Sequence, residues 1–316
     1  MDKRELFQAT LNGEKTDRIP CGFWHHFDKD SKYGTASVKA HLNYYDEVKT
    51  DVFKVMNEHL YKLDYEVKNP QDWAKTHPII FEDSPYVEFI EECRTIKKNL
   101  PSDLPLFATF HGIMVSACHA TEGVDRFSNP NNVISSHLRE DPETVFIGLK
   151  AIADTLIETA KHVKKIGLDG VYYAALGGED YRFTSDVLEK YVVSLDKYVI
   201  DAINDMGMKT ILHICKDKLQ LPSYGCINAD VVNWDVHDCK YSLKDGREIF
   251  KNKTLLGGFD DRSGVLVDGT EKEIIKEYNE ILKTAGREKL IIGTDCTLPP
   301  DINTHNLNIV TCEARK

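Results

Sequence analysis

The sequence has no excess of positive charge. It contains 40 Lys and Arg residues against 51 Asp and Glu residues, which gives a formal net charge of −11 at pH 7. It also has no run of about five or six like charges that would form a basic arm. Proteins that bind nucleic acid by neutralising its phosphates need a basic surface. We therefore exclude that class and expect no nucleic acid among the partners.

Long apolar runs are missing as well. The first twenty residues mix charges with short apolar pieces. They contain neither the apolar region of a secretory signal nor the run of about 18 apolar residues that a membrane span needs. The eight cysteines are spread along 316 residues without a CxxC pair, whereas disulfide frameworks are typical of short secreted chains. We expect a soluble, cytoplasmic protein with reduced thiols and no membrane partner.

No stretch rich in glycine, serine or proline divides the sequence, and no low-complexity segment is present. Nothing in the composition therefore marks a domain boundary. A chain of this length can hold two domains, but α/β barrels commonly use the whole length as one. We predict a single domain over residues 1–316.

Three segments share one pattern, in which an amphipathic run is followed by a glycine and a short apolar run. The runs and their glycines are 145–166 with Gly167, 187–206 with Gly207 and 274–285 with Gly286. Apolar residues recur every three or four positions in each run, which predicts helices. A glycine after the last turn adopts a left-handed conformation without a Cβ clash, so each glycine is predicted to end its helix.

Two of these helices also have recognisable beginnings. Asp141 precedes Pro142, and this pair is typical of an N-cap followed by proline at the first helical position. Thr270 and Glu273 have the spacing of a capping box, in which each side chain accepts from the other residue's amide.

Eight short apolar runs alternate with helical patterns along the chain. They read RIPCGFW, TDVFKVM, LPLFATF, GVYYAAL, TILHIC, ADVVNWDV, KTLLGGF and LIIGTDC. Eight strands alternating with helices are typical of a (β/α)8 barrel. We therefore predict the α/β class and a single (β/α)8 TIM barrel with N-terminal insertions at 25–50 and 59–104. A doubly wound open sheet is the competing architecture.

Catalytic groups of such a barrel lie at the carboxyl ends of its strands. Side chains alternate between the two faces of a strand, so His213 and Cys215 share the face opposite Leu212 and Ile214. Cys296 follows the last predicted strand and is expected at the same end of the barrel. An imidazole and two thiolates suit Zn²⁺, and three protein ligands with an open fourth position are typical of catalytic zinc. The alternative is that the cysteines are small buried hydrophobic residues.

Other polar side chains follow the predicted strands. We predict Asp235 and His237 as catalytic residues. Glu179 is a candidate for the fourth zinc position, in competition with water or substrate. The candidates for substrate binding are His25, His111, Asp260 and Asp261. Each of these residues also has a simpler interpretation, as a histidine packed at the rim or as a carboxylate that caps a helix or faces water.

Several segments together resemble the uroporphyrinogen decarboxylase superfamily over nearly the full length. They read RELFQATLNGEKTDRIPCGFW, REDPETVFIGLKAIADTLIETAKHVKKIGLDGVYY, KTILHIC, ADVVNWD, LLGGFDD and IIGTDCTLPPDI. The decarboxylases themselves carry an arginine-rich segment after the first strand, where this sequence reads WHHFDKD. The H-x-C…C arrangement is instead similar to the corrinoid-dependent branch that includes the methylcobamide:coenzyme M methyltransferases.

The resemblance implies a zinc site at His213, Cys215 and Cys296. It also implies a methyl group moving between a corrinoid such as methylcobalamin and a thiol or other small acceptor. A corrinoid carrier protein is the expected partner, and a homodimer is the candidate assembly. Lys216 stands where that branch commonly has glycine, which leaves the acceptor open. Two alternatives remain: a metal-independent decarboxylase of a porphyrinogen-like polycarboxylate, and a non-catalytic barrel that binds a corrinoid or another small molecule.

Overall fold

Seven strands form one sheet in the order β1 to β7. The computed structural model describes residues 1–123 and 126–316. Parallel pairing joins β1 to β2, β3 to β4, β5 to β6 and β6 to β7. The predicted α/β class is confirmed, and the strands follow one another in the sheet as a TIM barrel requires. From β1 to β7 the strands are Phe53–Val55, Leu106–His111, Gly170–Ala175, Lys209–Ile214, Val231–Trp234, Thr254–Phe259 and Leu290–Thr294.

The first of the eight predicted strands is reduced to an isolated bridge between Cys21 and Ile292. The amide of Gly22 donates to the Ile292 carbonyl at 2.8 Å, and the Ile292 amide donates to Pro20 at 2.9 Å. On the other side, the amide of Asp51 donates to the Cys21 carbonyl at 2.8 Å. The segment therefore pairs on both sides, but over a short length, because proline has no amide to donate.

Helices alternate with the strands, as the sequence predicts. None of the helices in the described part of the chain is long and apolar enough to cross a bilayer. In chain order, α1 to α12 are Lys3–Asn12, Gly34–Val48, Tyr86–Asn99, Ile113–Thr121, Val133–Glu140, Pro142–Lys165, Ser185–Val187, Ser194–Asp205, Leu243–Ile249, Val265–Asp268, Glu271–Ala285 and Thr304–Glu313. Shorter 3₁₀ segments are Lys29–Ser31, Pro70–Lys75, Phe81–Asp83 and Leu221–Cys226.

The predicted helix caps are confirmed. The side chain of Asp141 accepts from the amide of Thr144 at 3.2 Å at the start of α6. At the start of α11, Thr270 and Glu273 form both hydrogen bonds of a capping box. These contacts satisfy amides that have no partner within the helix.

The glycines predicted to end helices all have positive φ. The values are 75° at Gly167, 75° at Gly207 and 76° at Gly286. One predicted helix differs in its first half, where the π-helical segment Leu188–Val193 lies between α7 and α8. Hydrophobic periodicity predicts a helical face but does not separate a π turn from an α turn.

The described chain forms two compact units. The first contains β1 and β5 to β7, and the second contains β3 and β4. The single domain over residues 1–316 stays a prediction. Unit 1 is Met1–Met56, Glu91–Ala108 and Asp230–Lys316, and unit 2 is Asn57–Ile90 and Thr109–Ala229.

In unit 1, a buried amide ties three strands together. Asn233 on β5 donates from Nδ2 to the carbonyl of Leu256 on β6 and to that of Thr294 on β7, both at 3.0 Å. A fully buried side chain with two such bonds strongly favours one register. The bonds fix the carboxyl ends of β5 and β7, from which the next polar residues project.

In unit 2, a buried acid links a strand to two helices. The hydroxyl of Tyr173 on β3 donates to Asp196 Oδ1 on α8 at 2.5 Å and accepts from the Ile113 amide of α4 at 3.2 Å. Burial raises the pKa of Asp196 to about 7, although the hydrogen bond from Tyr173 lowers it. The protonated acid is therefore favoured in the folded state.

The first prediction concerns the pH dependence of stability. Since the folded-state pKa of Asp196 is raised, its stabilising contribution is complete below about pH 4 and is lost as pH rises through about 7. A shift of about three pKa units corresponds to about 4 kcal/mol. Asp196→Asn keeps an acceptor for Tyr173 and cannot ionise, so its stability relative to wild type should increase from pH 4 to pH 8.

Urea unfolding at several pH values measures this difference. Asp186→Asn, an exposed carboxylate on α7, is the matched control and should follow wild type. Identical pH dependence in wild type and Asp196→Asn would contradict the prediction.

Candidate functional site

The His-x-Cys pair lies at the end of β4. His213 is 3% exposed, and its ring stacks on Tyr172 of β3 with centroids 5.6 Å apart. Cys215 follows the strand and is partly exposed, while its amide donates to the Ala175 carbonyl at 3.0 Å. The pairing of β3 with β4 therefore continues through Cys215 and holds the backbone that carries both side chains.

The loop after Cys215 begins with a left-handed residue. Lys216 has φ 85°, a conformation that favours glycine. The loop then forms backbone hydrogen bonds with the segment after β3. The Asp180 amide donates to the Lys218 carbonyl at 2.9 Å, and the Gln220 amide donates to the Gly178 carbonyl at 2.7 Å. The lysine that replaces the expected glycine therefore keeps a conformation that glycine adopts more easily.

The carboxylate of Glu179 forms a buried ion pair with Arg182. Its Oε1 accepts from Arg182 Nη2 at 2.6 Å and its Oε2 from Arg182 Nε at 3.0 Å. The guanidinium also donates to Ser135 Oγ and to the Phe127 carbonyl, each at 2.8 Å. Such a forked pair neutralises the carboxylate and holds the loop after β3. The role of Glu179 as a metal ligand stays a prediction.

Cys296 lies in the turn that follows β7 and is partly exposed. The hydroxyl of Thr294 donates to the Cys296 carbonyl at 2.7 Å. Two backbone hydrogen bonds also hold the turn. The Leu298 amide donates to the Trp24 carbonyl at 3.1 Å, and the His26 amide donates to the Leu298 carbonyl at 3.0 Å. The cysteine therefore has a well-defined backbone.

Lys54 is a buried cation beside this turn. It is 3% exposed, its Nζ donates to Thr297 Oγ1 at 3.1 Å, and it lies over the Trp24 ring at 5.1 Å from the centroid. The sequence patterns predict no role for Lys54. The available signal was a lysine inside the otherwise apolar run TDVFKVM, since lysine is rarely buried without a specific partner.

The described part of the chain has two groups of candidate metal ligands. The first is the predicted set of His213 and Cys215, which lie in unit 2, and Cys296, which lies in unit 1; that the three hold one ion stays a prediction. The second group is Asp235, His237 and Asp295, all in unit 1, and one ligand atom from each lies within 4.8 Å of the others. The first group offers one nitrogen and two sulfur donors, whereas the second offers two carboxylates and one nitrogen.

The second group is held by hydrogen bonds. His237 Nδ1 and Asp295 Oδ2 are 2.6 Å apart. Asp235 Oδ1 accepts from the amides of His237 at 2.9 Å and Asp238 at 2.7 Å. The hydrogen bond to Asp295 raises the pKa of His237 to about 9, while burial raises the pKa of Asp295 to about 7. The sequence predicts Asp235 and His237 as catalytic residues, but it gives no signal that Asp295 is their partner.

The two histidine candidates for substrate binding pack against other rings. His25 contacts Phe27 and Tyr44 with centroids 4.8 and 4.6 Å apart, and burial lowers its pKa. His111 ends β2 and meets His119 edge to face at 4.7 Å. These contacts agree with the simpler interpretation of rim packing, and the substrate role of both residues stays a prediction.

The two aspartate candidates lie in the turn after β6. Asp260 accepts from Ser263 Oγ at 2.5 Å and from the Arg262 amide at 2.7 Å. Burial opposes ionisation of Asp260, but these hydrogen bonds lower its pKa below the ordinary value. Asp261 is buried and pairs with Arg262 Nε at 2.8 Å. Both carboxylates stabilise their own turn, and their binding to substrate stays a prediction.

Comparison with known sequences places most of the chain in one family. A profile of the uroporphyrinogen decarboxylase family, URO-D, matches residues 58–316. The Methylcobamide:CoM methyltransferase MtbA of Methanosarcina acetivorans is 22% identical over 223 residues, which is 68% of this chain. The matched region spans 60% of that relative's length.

Comparison with solved structures confirms the fold. A methyltransferase from Methanosarcina mazei has a TM-score of 0.75 at 14% identity, covering 99% of this chain and 98% of that one. A B12-independent methionine synthase from Shewanella sp. W3-18-1 has a TM-score of 0.63 at 13% identity, covering 94% and 97%. At these identities the likeness concerns the fold alone.

The second prediction concerns the contact between His237 and Asp295. In metal-free buffer, Asp295→Asn removes the anion that raises the histidine pKa, so the pKa of His237 should fall from about 9. Titration of its ring resonances by NMR measures the change. Asp238→Asn, an exposed carboxylate in the same turn, is the control and should leave the His237 titration unchanged. A high pKa retained in Asp295→Asn would refute the assignment.

Proposed function

The chain belongs to the uroporphyrinogen decarboxylase family, and from that premise we propose that it is a zinc-dependent methyltransferase. It moves a methyl group between a corrinoid, such as methylcobalamin, and a thiol or other small acceptor. The observation that carries the proposal is that His213 and Cys215 lie at the end of β4 and Cys296 in the turn after β7, where we propose that the three side chains hold one zinc ion. The similarity to MtbA, whose name states methylcobamide and CoM, gives separate support.

The donor atoms of this group suit zinc. An imidazole with two thiolates is a soft set that Zn²⁺ accepts readily, and three protein ligands leave a position for a reactant. Cys215 and Cys296 are partly exposed, so a small molecule can reach their sulfur atoms. Glu179 is left out of the set because its carboxylate holds Arg182, and we assign the fourth position to the acceptor.

A zinc ion bound here would lower the pKa of an acceptor thiol from about 8.5 and favour the thiolate at neutral pH. The residues of the chain prepare the position. Stacking on Tyr172 orients the ring of His213, and the Thr294 hydroxyl fixes the backbone at Cys296. Two cysteine thiolates also supply negative charge, which preserves the nucleophilicity of an acceptor sulfur.

The proposed reaction balances without a further reactant. The acceptor sulfur forms a bond to the methyl carbon while the bond from that carbon to the corrinoid cobalt breaks. Both electrons of the broken bond remain on the corrinoid, and the thiol proton passes to solvent. A corrinoid carrier protein is the proposed partner, while cytoplasmic location and a homodimer stay predictions.

The remaining predicted residues have supporting roles in this proposal. Asp235 and His237 follow β5, and they orient the acceptor and corrinoid from the turn there. His25, His111, Asp260 and Asp261 retain their predicted place in substrate binding.

The third prediction tests the metal. Under reducing conditions the folded protein should hold zinc, and the cobalt(II)-substituted protein should show sulfur-to-cobalt charge-transfer absorption. Cys215→Ser and Cys296→Ser should each lose most of that absorption, because serine is a poor ligand for these ions. Cys226→Ser, an exposed cysteine in a 3₁₀ segment, is the control and should match wild type. Folded wild type without zinc or charge-transfer absorption would end the proposal.

The fourth prediction tests the reaction. Loss of methylcobalamin absorption with a panel of thiols and folates should occur with wild type, and Cys296→Ser should slow it by about 100-fold or more. Metal-independent decarboxylation of a porphyrinogen polycarboxylate would replace the proposal with the decarboxylase alternative. Corrinoid binding without methyl loss for any acceptor would favour the non-catalytic barrel.

A further inference from the structure

We infer that Asp235, His237 and Asp295 form a second cation site, which takes Mn²⁺ or a similar first-row divalent ion. One ligand atom from each side chain lies within 4.8 Å of the others. The set shares no residue with His213, Cys215 and Cys296. Asp235 and His237 also have an orienting role in the methyltransferase proposal, but binding of Mn²⁺ to them is measured without that activity and without zinc.

A buried carboxylate oxygen is the observation that points to a ligand. Asp295 is 1% exposed, and its Oδ2 lies 2.6 Å from His237 Nδ1. Its Oδ1 is buried and accepts no hydrogen bond from the described residues 1–123 and 126–316. A buried polar atom without a partner is costly, and its occurrence calls for an explanation such as an ion.

The charge around Asp295 also favours a cation. Asp235 and Asp295 each have a carboxylate oxygen within 4.8 Å of a ring nitrogen of His237. Two carboxylates thus lie beside one imidazole, and the whole chain carries a net charge of −11. A divalent cation bound here neutralises the charge of the two carboxylates.

The site is built on ordered elements and has one open side. Asp235 follows β5, and its Oδ1 accepts from two backbone amides, which fix the carboxylate in place. Asp295 directly follows β7, and the Asn233 bonds tie β5 to that strand. The ring of His237 is exposed to solvent. Rigid carboxylates with an exposed imidazole give an ion both a preformed seat and a route in.

The donor set distinguishes this site from the thiolate group. Carboxylates suit Mn²⁺ and Mg²⁺, while an imidazole favours first-row transition ions over Mg²⁺. Sulfur ligands are absent from this group, whereas the thiolate group suits zinc. Mn²⁺ is therefore a selective probe, because it binds to two carboxylates and one imidazole more readily than to cysteines.

Titration with Mn²⁺, followed by calorimetry and by the loss of the free-ion EPR signal, tests the inference. Wild type should bind about one Mn²⁺ per chain. Asp235→Asn and Asp295→Asn should each weaken binding by at least about tenfold. The variants Cys215→Ser and Cys296→Ser should retain it. Asp238→Asn, from the same turn, is the matched control and should bind as wild type does.

Circular dichroism and thermal unfolding establish that each variant is folded before titration. No Mn²⁺ binding by folded wild type, or equal affinity in wild type and Asp295→Asn, would overturn the inference and leave a hydrogen-bonded cluster that shares a proton. The zinc proposal and the Mn²⁺ inference can be contradicted independently. Absence of charge-transfer absorption contradicts only the zinc site, and absence of Mn²⁺ binding contradicts only the site at Asp235, His237 and Asp295.

Discussion

Parallel strands direct all their carboxyl ends toward one edge of a sheet, and the polar chemistry of this chain depends on that constraint. The candidate site residues occur at or just after the ends of strands, while most side chains within the strands are apolar and buried. Within unit 1, the backbone thus brings His237 into contact with Asp295, although the two residues are 58 positions apart in the sequence. In chain order, the groups are His213 and Cys215 at β4, Asp235 and His237 after β5, Asp260 and Asp261 after β6, and Asp295 and Cys296 after β7.

Much of the fold could be predicted from sequence patterns that span only a few residues. Asp141 and Thr270 cap their helices as predicted, because a cap needs only residues within one turn. Alternation along β4 likewise put His213 and Cys215 on one face, since strand geometry is also local. Cys296 follows the last strand of the sheet, as its position in the sequence predicts. The strands also follow one another in the sheet in their sequence order.

Features that need distant partners did not follow from the sequence. The link between Asp295 and His237 joins two turns 58 positions apart, and no local pattern encodes it. Lys54 lies within an apolar strand because its ammonium group contacts the Thr297 hydroxyl and the Trp24 ring. Only tertiary packing brings these partners to it. The first predicted strand shortened to a bridge, since periodicity does not report how far two strands pair.

The left-handed lysine after Cys215 joins two opposing effects in one residue. Its backbone at φ 85° is strained by about 1 kcal/mol relative to glycine, yet its ammonium reaches Ser128 Oγ at 3.0 Å and tethers the loop to the 126–132 segment. Glycine at this position would relax the backbone and cut the tether at the same time. Lys216 therefore combines a less favourable backbone conformation with a side-chain hydrogen bond that holds the loop next to Cys215.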